Sequence, residues 1–418
     1  MKEYRITTGD LSFGERFTMG GTVTMRDEID REILERAINI AAARLPFMAT
    51  ELVSHDGSLY LRENGKPFIV SEGENPPPLG SEEANGHEFS FSCRGHRIYF
   101  LYNHAVCDGH GYAMVNGTVI RSYCRLRYGI SQDDGPIDLD KAPDGEEYAD
   151  PFSFVTSVPA PPAAGVKPPL PFMPPAEDFA NAPTLINIKI PRDDLLERVR
   201  SFHSSPAPFL ILLLCRAFYA VYPDRAQPIM TLSAADVRRV LGCEKTAQNC
   251  VAMVPLFYTE EVRPLPVDQQ AARFRQMLRQ QLEPEAVQAR MGMLKQVYEL
   301  KTAQRRADQP TASAGSAGAA VVFTYAGRID RGALEEYSGE LRMETEMVKN
   351  ETFQVLKTPA TVTAMEEKGV FSMDIMYAMK TPAVYEAFLR ELDACAIPYT
   401  ADPVPAVFSA ENGSAYEQ

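Results

Sequence analysis

The stretch YFLYNHAVCDGHGYAM, residues 99–114, decides how this chain is read. Residues 99–102 are aromatic and apolar, the composition of a buried strand, and the run stops at Asn103 and His104. Asp108 follows four residues later and Gly109 follows it. Met114, Val115, Val119, Ile120 and Tyr123 then recur at helical spacing as far as Gly129, a natural helix terminator. The pattern predicts a strand, a bend that carries His104, and a helix. A histidine at such a bend can be a catalytic base, a metal ligand, or only a histidine near a turn.

Upstream, residues 30–45 predict a helix capped by Asp30, with Ile33, Leu34, Ala37, Ile38, Ala41 and Leu45 on one apolar stripe that ends before Pro46. ELVSHDGSLYLREN reads as a hairpin about Asp56-Gly57, and HEFSFSCRGHRIYFLYNH as a second one turning near Gly95. Downstream, periodicity breaks down from about residue 131 to residue 183. There SVPAPPAAGVKPPLPFMPPAEDF holds too many prolines for a helix or a central strand. It returns with LINIKI as a strand, DDLLERVRSF as a helix, and SSPAPFLILLLCRAFYAVYP as a buried helix with Ser205 as its cap. Two helices are predicted within residues 267–304, and TASAGSAGAA (residues 311–320) as a flexible loop. VVFTYAGRID, a strand at GVFSMDIMYAM and an amphipathic helix at TPAVYEAFLRELDAC close the pattern.

A chain of 418 residues exceeds the usual size of one core, so two domains are expected. The division is 1–150, a Pro-rich crossover at 151–183, and 184–418. Composition is that of a globular protein, with 45% hydrophobic and 23% charged residues; only the 32 prolines are high. A formal charge of −14 argues against a phosphate-backbone partner, which needs a basic face. MKEYRITTGDLSFGERF lacks the apolar core and cleavage site of a signal peptide. The longest apolar run, PAPFLILLLCRAFYAVY, carries Arg216 and falls short of a membrane span. The 7 cysteines lie without paired spacing, which suits a reducing cytoplasm.

NHAVCDG resembles the HxxxDG motif of the chloramphenicol acetyltransferase-like superfamily, which includes nonribosomal peptide condensation domains, plant acyl-CoA-dependent acyltransferases and bacterial alcohol acetyltransferases. Three fixed residues at this spacing arise by chance in such a chain on the order of a few times in a hundred. The flanks match too: in that family the motif ends a strand and opens a helix. Residues 28–48 resemble its first helix, and DVRRVLGCEKTAQNCVAMVPL its later segment, where an Asp-x-Arg precedes an Asn before a strand. FTYAGRID stands where members carry a Ser/Thr-x-x-Gly strand end. The resemblance covers nearly the whole chain, with HxxxDG its specific element.

The resemblance implies an α/β fold of two acetyltransferase-like subdomains, each a mixed sheet flanked by helices, with an active-site tunnel between them. It implies acyl transfer from a thioester to a small alcohol or amine. No bound cofactor is implied; acyl-coenzyme A or the phosphopantetheine of an acyl carrier protein serves as co-substrate. His104 would be the general base and Asp108 the organiser of its loop through an arginine, Arg238 or Arg239. Asn249 would either line the channel or only satisfy a turn, and the Thr324 hydroxyl would donate to a developing oxyanion. Gly109, and Gly111 after it, would supply a positive φ or a close backbone approach. Departures bear on the substrate: Asn103 replaces the first histidine of the condensation HHxxxDG, the plant DFGWG element is absent, and there is no tryptophan. No carrier or adenylation domain accompanies the chain, which reads as standalone. A condensation-like amide synthase working with carrier proteins, and a silent lipid- or carrier-binding member, are the alternatives.

The chemistry stands without the family. Acyl transfer needs a base that takes the acceptor's proton and returns it to the departing thiolate, and imidazole titrates in the useful range. A metal reading would collect His104, Cys107, Asp108 and His110, but their spacing matches no closed zinc pattern. Cys107 as nucleophile is opposed by the inertness of buried thiols.

Overall fold

The computed structural model describes residues 2–14, 17–130, 135, 137–157, 170–223, 226–307, 309, 318–328, 337–342 and 358–402. Its first half runs β1 (Glu3–Ile6), α1 (Thr8–Phe13), β2 (Thr18–Met25), α2 (Arg31–Arg44), β3 (Thr50–His55), β4 (Ser58–Glu63), β5 (Val70–Glu72), β6 (Phe89–Arg94), β7 (Arg97–Asn103) and α3 (Gly109–Tyr128). Turn chemistry sets the hairpins. Asp56 and Gly57 both have positive φ, 50° and 70°, the pair that a two-residue β3–β4 turn requires. Gly95 at φ 56° closes β6 onto β7. Asp30 accepts from Ile33 N at 3.0 Å and starts α2, whose Leu34, Ala37, Ile38 and Ala41 are fully buried. Gly129, left-handed at φ 69°, ends α3.

The second half runs β8 (Phe179–Pro191), α4 (Arg192–Ser201), α5 (Pro206–Val221), β9 (Ile229–Asp236), α6 (Arg238–Leu241), β10 (Val251–Tyr258), α7 (Val267–Gln281), α8 (Pro284–Arg306), β11 (Val321–Arg328), β12 (Ser338–Arg342), β13 (Ala360–Glu367), β14 (Val370–Met379), α9 (Ala383–Ala394) and β15 (Thr400–Ala401). Residues 158–169 of the Pro-rich segment, 311–317 of the Ser/Ala/Gly loop and 329–330 of VVFTYAGRID lie outside the described residues. β8 begins at Phe179, inside the expected crossover. It accommodates Pro183 because its register on β14 shifts there, between the Thr184–Tyr377 and Phe179–Met379 pairs. Ser205 makes no side-chain cap of α5, contrary to expectation. A capping oxygen takes the amide of the second or third helical residue, and the third here is Pro208, which has no N–H.

Among the described residues the strands form a seven-stranded mixed sheet, β10-β9-β11-β13-β14-β8-β15, a five-stranded sheet, β12-β2-β7-β6-β5, and a small sheet, β1-β4-β3. β12 crosses from the second half and pairs antiparallel with β2 in the first half's sheet. α5 is almost wholly apolar because its centre is covered: Phe209 to Leu213 are fully buried against the large sheet, α7 and α9, and Arg216 pairs with Glu391. Each such side chain contributes about 1.5–3 kcal/mol on burial. No single helix among the described residues is long and apolar enough to cross a membrane; α4 and α5 reach that composition only together, across a 79° bend.

Candidate active site

β7 delivers the site. It is paired with β2 up to Asn103, opposite Thr18, and His104 is the next residue. The bend is fixed from every side. Asn103, fully buried, accepts through Oδ1 from Ala105 N at 3.0 Å and Phe17 N at 3.3 Å, and its Nδ2 donates to the buried Glu88 carboxylate at 2.9 Å. His104 N donates to Phe17 O at 2.7 Å. Tyr148 Oη donates to Val106 O at 2.9 Å. Gly9 of α1 lies so close that a Cβ there would sit 1.9 Å from Ala105 O.

The His104 ring is half-buried, with Nδ1 2.9 Å from Cys107 O. A carbonyl only accepts, so the proton sits on Nδ1 and the lone pair on Nε2. Phe13 stacks on the ring at 4.1 Å between centroids and 22° between planes, while Phe17 and Tyr102 lean on it at 5.9 and 5.8 Å. Burial lowers the pKa of His104 from its ordinary value, and the Asp108 charge opposes that shift.

Asp108 is taken up by the start of α3 and by the second half. Its Oδ1 accepts from His110 N and Gly111 N, both at 3.1 Å, capping α3, and from Arg238 Nη2 at 2.7 Å; Oδ2 accepts from Cys250 N at 2.8 Å. Of the two candidate arginines the structure selects Arg238, which is 2% exposed, whereas Arg239 is exposed. Arg238 Nε also donates to Thr246 O at 2.8 Å and Nη2 to Gln248 O at 2.6 Å, and Nη1 lies 3.1 Å from Asp236 Oδ1. The Asp108 and Asp236 charges outweigh burial and raise the Arg238 pKa.

The glycine expectation needs correcting. Gly109 has no positive φ, and a Cβ there would meet nothing within 4 Å. The close approach is at Gly111, where a Cβ would lie 2.1 Å from Ala247 O and 2.8 Å from Cys107 Cβ. Asn249 is buried, with its carbonyl taken by the Thr8 hydroxyl. Thr324 sits mid-strand in β11, between Ala234 of β9 and Thr363 of β13, and no hydrogen bond joins it to His104. The Cys107 thiol is buried, and burial pushes its pKa well up, so its contribution is its carbonyl. His110 Nδ1 is 3.9 Å from Asp236 Oδ2. No group of three or more His, Cys, Asp or Glu side chains that could hold a metal occurs among the described residues.

No family model matches the sequence, and no curated protein matches it. Solved structures do match, over nearly the whole chain. TRI101 of F. sporotrichioides, solved with coenzyme A and T-2, superposes with a TM-score of 0.63 at 11% identity, covering 95% of this chain and 99% of that one. Polyketide synthase associated protein 5 from Mycobacterium tuberculosis gives 0.60 at 14% identity, over 94% and 97% of the two chains. The condensation domain of the Monacolin K polyketide synthase MokA gives 0.59 at 13%, over 94% and 96%. The fold is the chloramphenicol acetyltransferase-like fold. Within this acetyltransferase-like fold the Asp108–Arg238 pair joins the two halves directly beneath the histidine bend.

Proposed function

We propose that the protein transfers an acyl group from a thioester to a small alcohol or amine, with His104 Nε2 as general base. The observation that carries this reading is the Nδ1 contact to Cys107 O, which fixes the tautomer and leaves an acceptor nitrogen on a half-buried ring. Nε2 takes the proton of the acceptor's hydroxyl or amine as its heteroatom attacks the thioester carbonyl. The tetrahedral intermediate then expels the thiolate, which receives that proton back. Asp108 and Arg238 hold the bend as positioning residues, and Gly109 leaves open space beside it. Asn249, Thr324 and a cytoplasmic setting belong to the proposal as supporting assignments. The donor is coenzyme A or a carrier-protein phosphopantetheine: the first is supported by the bound coenzyme A of the TRI101 structure, the second by the condensation-domain neighbour.

The test is thiol release from acyl-coenzyme A and acyl carrier protein donors with mixed alcohol and amine acceptors, wild type against His104→Ala. Acceptor-dependent release that falls on the order of 10²–10⁴-fold in the variant is expected. A variant that keeps the full rate would overturn the mechanism. No release from any donor would leave a silent binding protein as the better reading.

A further inference from the structure

Away from the histidine, the fold brings two thiols together. Cys243 Sγ lies 3.6 Å from Cys250 Sγ, and both side chains are buried. The backbone sets this approach. Cys243 N donates to Arg238 O and Val237 N donates to Cys250 O, each at 3.1 Å, so both ends of segment 243–250 are pinned to one pair of adjacent residues. The residues between are those that grip Arg238, through Thr246 O and Gln248 O, and Cys250 N itself donates to Asp108. The two cysteines therefore stand at the base of the loop that builds the Asp108–Arg238 clamp.

We propose that Cys243 and Cys250 are a modification site for an oxidant of the peroxide class, converted to a disulfide that closes the Arg238-binding loop. A disulfide needs sulfurs about 2.05 Å apart, and from 3.6 Å between pinned ends the two sulfurs have only a short way to close. Cys243, 5% exposed where Cys250 is fully buried, is the sulfur that peroxide reaches first, and the hydrogen bond the two share lowers its pKa while raising that of Cys250. The Cys243 thiolate attacks one peroxide oxygen, the O–O bond breaks, and hydroxide leaves with the proton that Cys243 gave up, as water. The Cys250 sulfur then attacks the sulfenic sulfur: the S–S bond forms, the S–O bond breaks, and the departing hydroxide takes the Cys250 proton as a second water. Two thiols are oxidised and one peroxide is reduced.

The test treats the full chain with hydrogen peroxide, alkylates remaining thiols, and reads intact mass, peptide maps and amide hydrogen exchange. Expected are a loss of two hydrogens, one cross-linked pair mapped to Cys243 and Cys250, slower exchange at residues 246–250, and reversal of all three by dithiothreitol. Cys243→Ala and Cys250→Ala each lose the cross-link. Peroxide treatment that leaves both thiols alkylatable, or takes them to separate sulfinic acids without a cross-link, overturns the proposal on the wild-type protein alone. The readouts are mass and exchange, not turnover, so they decide this site whether or not acyl transfer is found.

Discussion

A base that works at Nε2 must stay neutral, and at His104 the surroundings favour neutrality. Phe13 stacks on the imidazole, Phe17 and Tyr102 lean on it and Nδ1–H is given to a carbonyl, so protonation puts a charge among aromatic rings. The acid limb of kcat/KM should therefore lie below 6.5, the ordinary value for histidine. The same shift has a stability consequence of defined sign. Below about pH 6.5 the unfolded chain protonates His104 while the folded chain resists, so the unfolded state binds more protons and stability falls as pH falls. Above that value both states are neutral there. Urea unfolding of wild type and His104→Gln should run parallel above pH 6.5 and diverge below it, wild type losing more. Curves that stay parallel to pH 5 would show that burial does not oppose the charge on His104.

At the scale of elements, the segment from β7 through the bend to α3 places His104, and the two glycines after Asp108 do different things in it. Gly111 faces Ala247 O across the junction between halves, so Gly111→Ala drives a methyl into main chain and should cost about 1–3 kcal/mol or more in urea unfolding. Gly109→Ala at the exposed first turn should change stability by less than about 1 kcal/mol. Equal losses at both would contradict the packing at Ala247. This division was not legible in the sequence, since spacing marks Gly109 while only the tertiary approach of Ala247 marks Gly111. The strand, bend and helix were legible, as were both hairpins, because their signals are local: aromatic runs, Asp-Gly and Gly turns, an Asp cap. α1 was not, because TGDLSF is too short for periodicity, yet it supplies Phe13 to the imidazole. The choice between Arg238 and Arg239 needed α6, a single turn that aims one inward and the other out. Asn103 was visible as a departure from two histidines, but its bonds to Phe17 and Glu88 join it to residues distant in sequence.

On the scale of the whole molecule, the halves are joined by buried polar contacts as well as by β12. Gln248 Nε2 donates to Arg5 O at 3.0 Å, Ala247 N to Glu147 O at 2.8 Å, and Arg238 pairs with Asp108. Asp10 of α1, fully buried, receives Lys301 Nζ at 3.2 Å and Arg305 Nη1 at 2.7 Å from α8. Since α1 also carries Phe13, this cluster anchors the wall of the histidine site to the second half. Removing the anion leaves a buried lysine with the residue 10 carbonyl as acceptor but no counter-charge, and Asp10→Ala should cost about 3–5 kcal/mol at pH 7. Burial already lowers the Lys301 pKa from 10.5, and Asp10 is the charge that opposes the shift, so the variant should lower it further. The folded variant then releases this proton at a pH where its unfolded chain still holds it, and its stability rises with pH. Urea unfolding at pH 7 and pH 9 should show the gap between variant and wild type narrowing. A gap that is constant or wider would mean that Lys301 finds another anion once Asp10 is gone, and that α1 is not tethered through this cluster.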